Sequence, residues 1–302
     1  MIGTIWRLIL AACGIGVFLP LVLADGLSSW WTIALHTTGL LVCLRLSNAG
    51  RRISRHGRRY LTPVIHATEN MSDEPIVLYL RPFAADADGA SMAQQPEIPW
   101  PPVGFITSGR TVEEQLGRMF RESGNLIAVG RPGERLPYAG AQRLYLPLNN
   151  WQDTVRDLML RARLVVLVAG PGPGTIWEYV QAICLVPPSR LVLAVYHDPE
   201  VYESFRQLTA TGFRQQQDEL RRQMGTSWSP PALPDYPELT DVSSRDYALK
   251  GVVYFDSEWG AHFIRFDPAK GSLIRSRTAN SREVRRALRP ALEMIRLDRE
   301  TR

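Results

Sequence analysis

The stretch RLVVLVAGPGPGTIWEYVQAICLV, residues 163–186, decides how the chain is read. Six apolar residues run from 164 to 169, three of them valine, as in a parallel strand covered on both faces. Gly170, Gly172 and Gly174, spaced by Pro171 and Pro173, then make a turn with no bulky side chain to hold a ligand off. Thr175 reads as the N-cap of a helix in which Ile176, Val180, Ile183 and Cys184 recur at helical spacing. In an open α/β sheet, ligands bind outside the carboxyl ends of the strands, so this turn belongs at the mouth of a crevice. Glu178, taken in the first helical turn, brings a carboxylate to its rim. The same residues, Thr175-x-x-Glu178, match a capping box, in which the Glu side chain bonds back to the N-cap amide. Thr111-x-x-Glu114 has that form too. Cap and reacting carboxylate are both open roles for Glu178, and they do not exclude each other.

Outward from this unit the pattern repeats. A strand is expected over 75–83, a helix over 111–123 stopped by Gly124, a strand over 125–130, a helix over 151–162, a strand over 190–198 and a helix over 199–210. Strand–helix alternation with crossovers of this length gives an α/β fold with a doubly wound, mostly parallel sheet. The segments 84–110, with Asp86 and Asp88, and 131–147 are long for connections, and read as binding loops at one end of the sheet. The domain is set at 75–210, followed by a polar insert over 211–250. A β-hairpin over 251–255 and 261–266 and an Arg-rich helix over 281–297 complete the domain within 251–302.

Before residue 75 the composition changes. Residues 5–24 and 30–46 are the longest apolar runs, and at ~1.5 Å per helical residue the first reaches about 30 Å, a bilayer core. A basic stretch follows, with Arg45, Arg51, Arg52, Arg55, Arg58 and Arg59. By the positive-inside rule, residues 1–50 are expected to form a two-helix transmembrane hairpin contacting the bilayer over 5–46. Residues 51–74 then form a basic linker, with the main domain cytoplasmic at the cell membrane. A cleaved signal peptide ending near Ala24 competes, leaving one span and the same placement of the rest. The arginine cluster reads as a topology signal, so no nucleic-acid partner is expected.

The chain of 302 residues carries a formal charge of +5, with only two lysines, Lys250 and Lys270, among its 35 basic residues. Three cysteines, Cys13, Cys43 and Cys184, fall in apolar surroundings, so neither a disulfide framework nor a metal site is expected. No Gly-Lys-Ser/Thr follows the glycine turn, which excludes a P-loop. No Gly-x-Gly-x-x-Gly follows the first strand, which excludes the dinucleotide fingerprint. His197-Asp198-Pro199-Glu200 reads as a strand end and a helix cap.

Two stretches carry a family resemblance. LYLRPF (78–83) with GTIWEYVQA (174–182) resembles the nucleoside 2-deoxyribosyltransferases, in which a Glu after Gly-Thr attacks the anomeric carbon. The span from 75 to about 210 is similar to TIR and TIR-like domains, of flavodoxin-like architecture, in which a Glu near a Trp acts on the nicotinamide–ribose bond of NAD. The chain differs from the first family in having Gly-Pro-Gly-Pro-Gly where an Asp usually precedes Gly-Thr, and from the second in that Trp177 adjoins Glu178.

Both resemblances imply cleavage of an N-glycosidic bond with Glu178 as the catalytic carboxylate, NAD or another nucleotide as substrate, and no resident cofactor. Such a bond breaks with oxocarbenium charge at the anomeric carbon, which one carboxylate can stabilise or attack. Trp177, Tyr138 or Phe83 would wall the sugar. The turn Gly170, Gly172, Gly174 and Thr175 would hold diphosphate with Arg81 or Arg131, and Asp86 is a further substrate-binding candidate. The resemblance leaves two other functions open: a non-catalytic module or nucleotide sensor that signals by self-assembly as a homo-oligomer, and a nucleoside transferase that exchanges bases.

Overall fold

The computed structural model describes residues 37–39, 41, 45, 64–65, 74–82, 116–117, 119–130, 141–146, 151–215, 222, 229–238, 249–266 and 293. The chain divides into two compact units, Met1–Leu61 and Thr62–Arg302. In the first, residues 37–39, 41 and 45 are helical and Leu41 is exposed. Among the described residues, no helix is long and apolar enough to cross a membrane. The runs expected to span, 5–24 and 30–46, lie almost entirely outside them.

The second unit is built on one sheet, eight-stranded among the described residues. Its strands are β1 (Val64–Ile65), β2 (Ile76–Leu80), β3 (Asn125–Gly130), β4 (Gln142–Tyr145), β5 (Leu164–Val168), β6 (Leu191–Val195), β7 (Gly251–Phe255) and β8 (Ala261–Arg265), in the order β1-β4-β3-β2-β5-β6-β7-β8. Pairing is parallel from β1 to β6 and antiparallel for β7 and β8. The fold is therefore α/β with a mostly parallel sheet, compatible with a flavodoxin-like fold. The chain leaves β2 toward β3 and β4, then returns to the other side of β2 through β5 and β6. The topological switch point lies between β2 and β5, where such sheets bind ligands.

Side chains explain why these runs sit centrally. In β5, Val165 and Leu167 enter one apolar layer while Leu164, Val166 and Val168 enter the other, so both faces are covered and no polar residue interrupts the run. The first layer is closed by helices α1 (Trp151–Arg161), α2 (Pro173–Leu185) and α3 (Pro199–Gln215) through Leu158, Met159, Tyr179, Val180, Tyr202 and Phe205. Leu116 and Phe120 cover the second. Gly124 turns the chain into β3 at φ +142°, and a Cβ there would stand 2.1 Å from the Pro75 carbonyl oxygen. Only glycine fits so close an approach.

Three readings change. The loop expected over 131–147 contains β4, whose Arg143 is fully buried between β3 and β1. Helix α3 continues to Gln215 rather than ending near 210, carried by Gly212 and Phe213 on its buried side. Within the expected polar insert, residues 229–238 run extended along α3 and bury Leu233 in the core. This strap accepts hydrogen bonds at Pro234 O from Tyr202 (3.1 Å) and at Leu233 O from Arg206 (3.1 Å), and Tyr236 donates to His197 O at 3.4 Å. The hairpin β7–β8 extends the sheet beyond β6.

Candidate functional site

The helix after β5 begins three residues earlier than its sequence suggests. Pro173, with φ already set for a helix and no amide to orphan, occupies the first position, and Gly172 is the N-cap at φ −67°, ψ 141°. Thr175 is therefore not the cap. The Ile176 amide donates to Gly172 O at 3.0 Å, and no side chain caps this end. The shift moves Glu178 into the second helical turn, out of reach of the N-cap amide, and so removes the capping-box role.

Helical spacing then sorts the faces of α2. Trp177 and Gln181 meet α1: Trp177 packs edge-on against Trp151 (4.9 Å between centroids) under the Arg156 guanidinium, whose Nε donates to Gln181 at 2.9 Å. Ile176 and Val180 meet α3 at Gly212. Tyr179 lies between Phe205 (5.5 Å) and Phe213 (5.8 Å). Glu178 falls between the sheet-facing row of Thr175 and Ala182 and the α1-facing Gln181.

Glu178 is only 2 % exposed. Among the described residues no side chain or amide pairs with it, and burial alone pushes its carboxyl up to about 8. Thr175, also 2 % exposed, has an unpartnered Oγ1, and the buried Tyr179 hydroxyl has none either. Two buried polar atoms without partners on one helix, Thr175 Oγ1 and the Tyr179 hydroxyl, are unusual, since each such atom costs ~1–3 kcal/mol.

The strand ends meet above them. A Cβ on Gly170, just past β5, would lie 3.2 Å from Pro82 Cγ after β2 and 3.8 Å from His197 Nε2 after β6. Gly170 is thus the glycine whose bareness is needed for close packing. Among the described residues, a Cβ on Gly174 would meet nothing within 4 Å, and one on Gly172 would meet Thr175 Oγ1 at 3.8 Å. Arg81 is half-buried beside Pro82.

The structure therefore gathers Gly170, Gly172, Gly174, Thr175 and Arg81 near the switch point, while Trp177 turns toward α1. Phe83, Asp86, Arg131 and Tyr138 lie outside the described residues. His197, a plain strand end in the sequence, joins the turn only through the register that sets β6 beside β5, so no local signal could have found it. Among the described residues no cluster of His, Cys, Asp and Glu could hold a metal ion. Cys184 is half-buried, its thiol pushed up to about 11 by burial. A hollow of about 290 Å³ on α1, lined by Thr154, Asp157, Leu158, Leu160 and Arg161, includes none of these residues.

No protein-family model matches the chain, and neither does any curated protein or solved structure.

Proposed function

We propose that this is a membrane-tethered TIR-like enzyme, its main domain cytoplasmic, that cleaves the N-glycosidic bond of NAD or a related nucleotide through Glu178. The observation that carries the reading is the burial of Glu178, one helix turn beyond the glycine turn at the switch point, without a partner among the described residues. An uncompensated buried carboxyl is a liability to the fold and a resource for chemistry. Cleavage places positive charge on C1 of the ribose, and a carboxylate in apolar surroundings stabilises that charge more strongly than one in water. A cationic nicotinamide leaves without a proton, so no second acid is required. The cationic substrate itself draws the carboxyl into its ionised form, because an opposite charge nearby lowers a carboxyl pKa. The membrane placement rests on the two apolar runs and the arginines that follow them.

The pKa of about 8 also favours a second reading, in which Glu178 is the neutral acid that protonates an uncharged leaving base, as in nucleoside transfer. The two separate by pH. Full-length protein in detergent is incubated with NAD and nicotinamide release is followed by chromatography. As carboxylate, Glu178 gives a kcat/KM that rises with pH toward a plateau above about 8. As acid, it gives one that falls through the same region, with purine nucleosides as substrates. In either role Glu178→Gln lowers turnover by about 10²–10³-fold. Undiminished turnover in that variant would remove Glu178 from the reaction.

A further inference from the structure

Residues 229–238, SPPALPDYPE, lie along α3 as a bound peptide lies along its receptor. We propose that their seat is a docking groove for a proline-rich segment of a partner protein. Tyr202 and Arg206 of α3, with Phe263 and Arg265 of β8, form the groove, and the strap fills it in cis until such a segment displaces it. The groove owes nothing to the chemistry assigned to Glu178.

The sequence sets the strap's shape. Pro231, Pro234 and Pro237 recur at every third residue, the period of a polyproline II ribbon, and each fixes its own φ. Burial follows the same period. Ala232, Asp235 and Glu238 are exposed, whereas Leu233, 7 % exposed, and the half-buried Tyr236 turn inward. The prolines have no amide hydrogen to lend to a sheet ladder. Side chains of the seat reach the strap's carbonyls instead: the Tyr202 hydroxyl donates to Pro234 O and Arg206 Nε donates to Leu233 O. Arg206 also pairs through Nη1 with Asp235, at 2.8 Å. Tyr236 completes an aromatic cluster with Tyr202 (5.7 Å) and Phe263 (5.3 Å), under the Arg265 guanidinium at 5.2 Å. Proline-rich peptides are recognised in this way, by an aromatic-lined groove that takes a segment already extended and so low in entropy. The ligand class follows from the strap: proline at every third residue, a leucine and a tyrosine three apart, and a carboxylate between them. Tethered in cis, the strap competes at a high effective concentration and so sets a threshold for entry. The hydrogen bond from Tyr236 to His197 O ties the groove's occupant to the end of β6.

Full-length protein in a non-ionic detergent is titrated into a fluorescently labelled peptide of residues 229–238, and binding is read by anisotropy. Wild type should bind weakly, because its own strap holds the seat. A chain carrying both Leu233→Ala and Tyr236→Ala, with a weakened strap and an intact seat, should bind about tenfold or more tightly. Asp235→Ala, at a side chain 91 % exposed, leaves the core undisturbed and should tighten binding about two- to fivefold. The same two alanines placed in the peptide should abolish binding. Arg206→Ala added to the double variant should weaken it about tenfold. Three results would overturn the groove: no binding to any of these chains at millimolar peptide, equal binding to wild type and the double variant, or equal binding of the alanine peptide. Wild-type chains that pair as their concentration rises, and that the peptide separates, would overturn the partner's part, since the seat then takes the strap of a second copy.

Discussion

Two carboxyl groups in this molecule are held in opposite ways. Asp256, in the turn of the β7–β8 hairpin, accepts hydrogen bonds from the Glu258 amide (3.0 Å) and the Gly260 amide (2.7 Å), and its other oxygen meets His262 Nε2 at 3.0 Å. These partners, His262 foremost, hold it below the ordinary carboxylate range. Its role is structural, for it closes a turn in which Trp259 takes a positive φ of 65°. Glu178 is buried with none of this provision among the described residues, and burial drives it the other way. One carboxyl is supplied with donors that favour its charged form, and the other sits where burial favours its neutral form. The contrast predicts that the two groups bound the stability of the domain at opposite ends of the pH scale.

The largest effect belongs to Glu178. The folded state keeps its proton to about pH 8, while the unfolded chain releases it near 4.5. Between those values the folded state binds more protons, so stability falls as pH rises, by up to ~1.4 kcal/mol per pH unit. Glu178→Gln removes the slope, and denaturant unfolding at stepped pH should show the variant more stable than the parent at pH 8. Parallel curves would mean that the carboxyl has partners after all.

Thr175→Val is the next test. Both side chains are β-branched, so helix propensity is kept while an unpartnered hydroxyl is removed, and a gain of about 1 kcal/mol is expected in the same unfolding experiment. A loss instead would show that the hydroxyl stabilises the fold. The smallest effect is at Asp256. Its lowered pKa makes its contribution present above about pH 3.8 and lost as pH falls further. Asp256→Asn should therefore lower stability slightly near neutrality and flatten the acid limb, leaving the alkaline limb untouched.

Much of the scaffold could be read from the chain because parallel strands buried on both faces leave unbroken apolar runs. IVLYL, LVVLV and LVLAV announce β2, β5 and β6, and NLIAVG coincides with β3. The short β4, QRLY, has an arginine in its middle, and no apolar run marks it. Glu178 was identifiable by residue type and position after the glycine turn, but its depth was not. Thr175 as a cap and Pro173 as a first helical residue both signal a helix start, and the three-residue difference between the two starts separates a rim carboxylate from a buried one. His197 comes to the site through strand register, a long-range property that no local pattern encodes.

Gly212 of α3 lies against α2, where a Cβ would meet Ile176 Cγ2 at 3.0 Å. The two helices therefore mesh at a notch, and the notch acts as a depth stop for the element that carries Glu178. Filling it with a methyl group requires the Ile176 side of the contact to give by a few tenths of an ångström, without changing the chemistry of any group on α2. Gly212→Ala thus offers a handle on how far the carboxyl is sunk, adjusted from the far side of the helix.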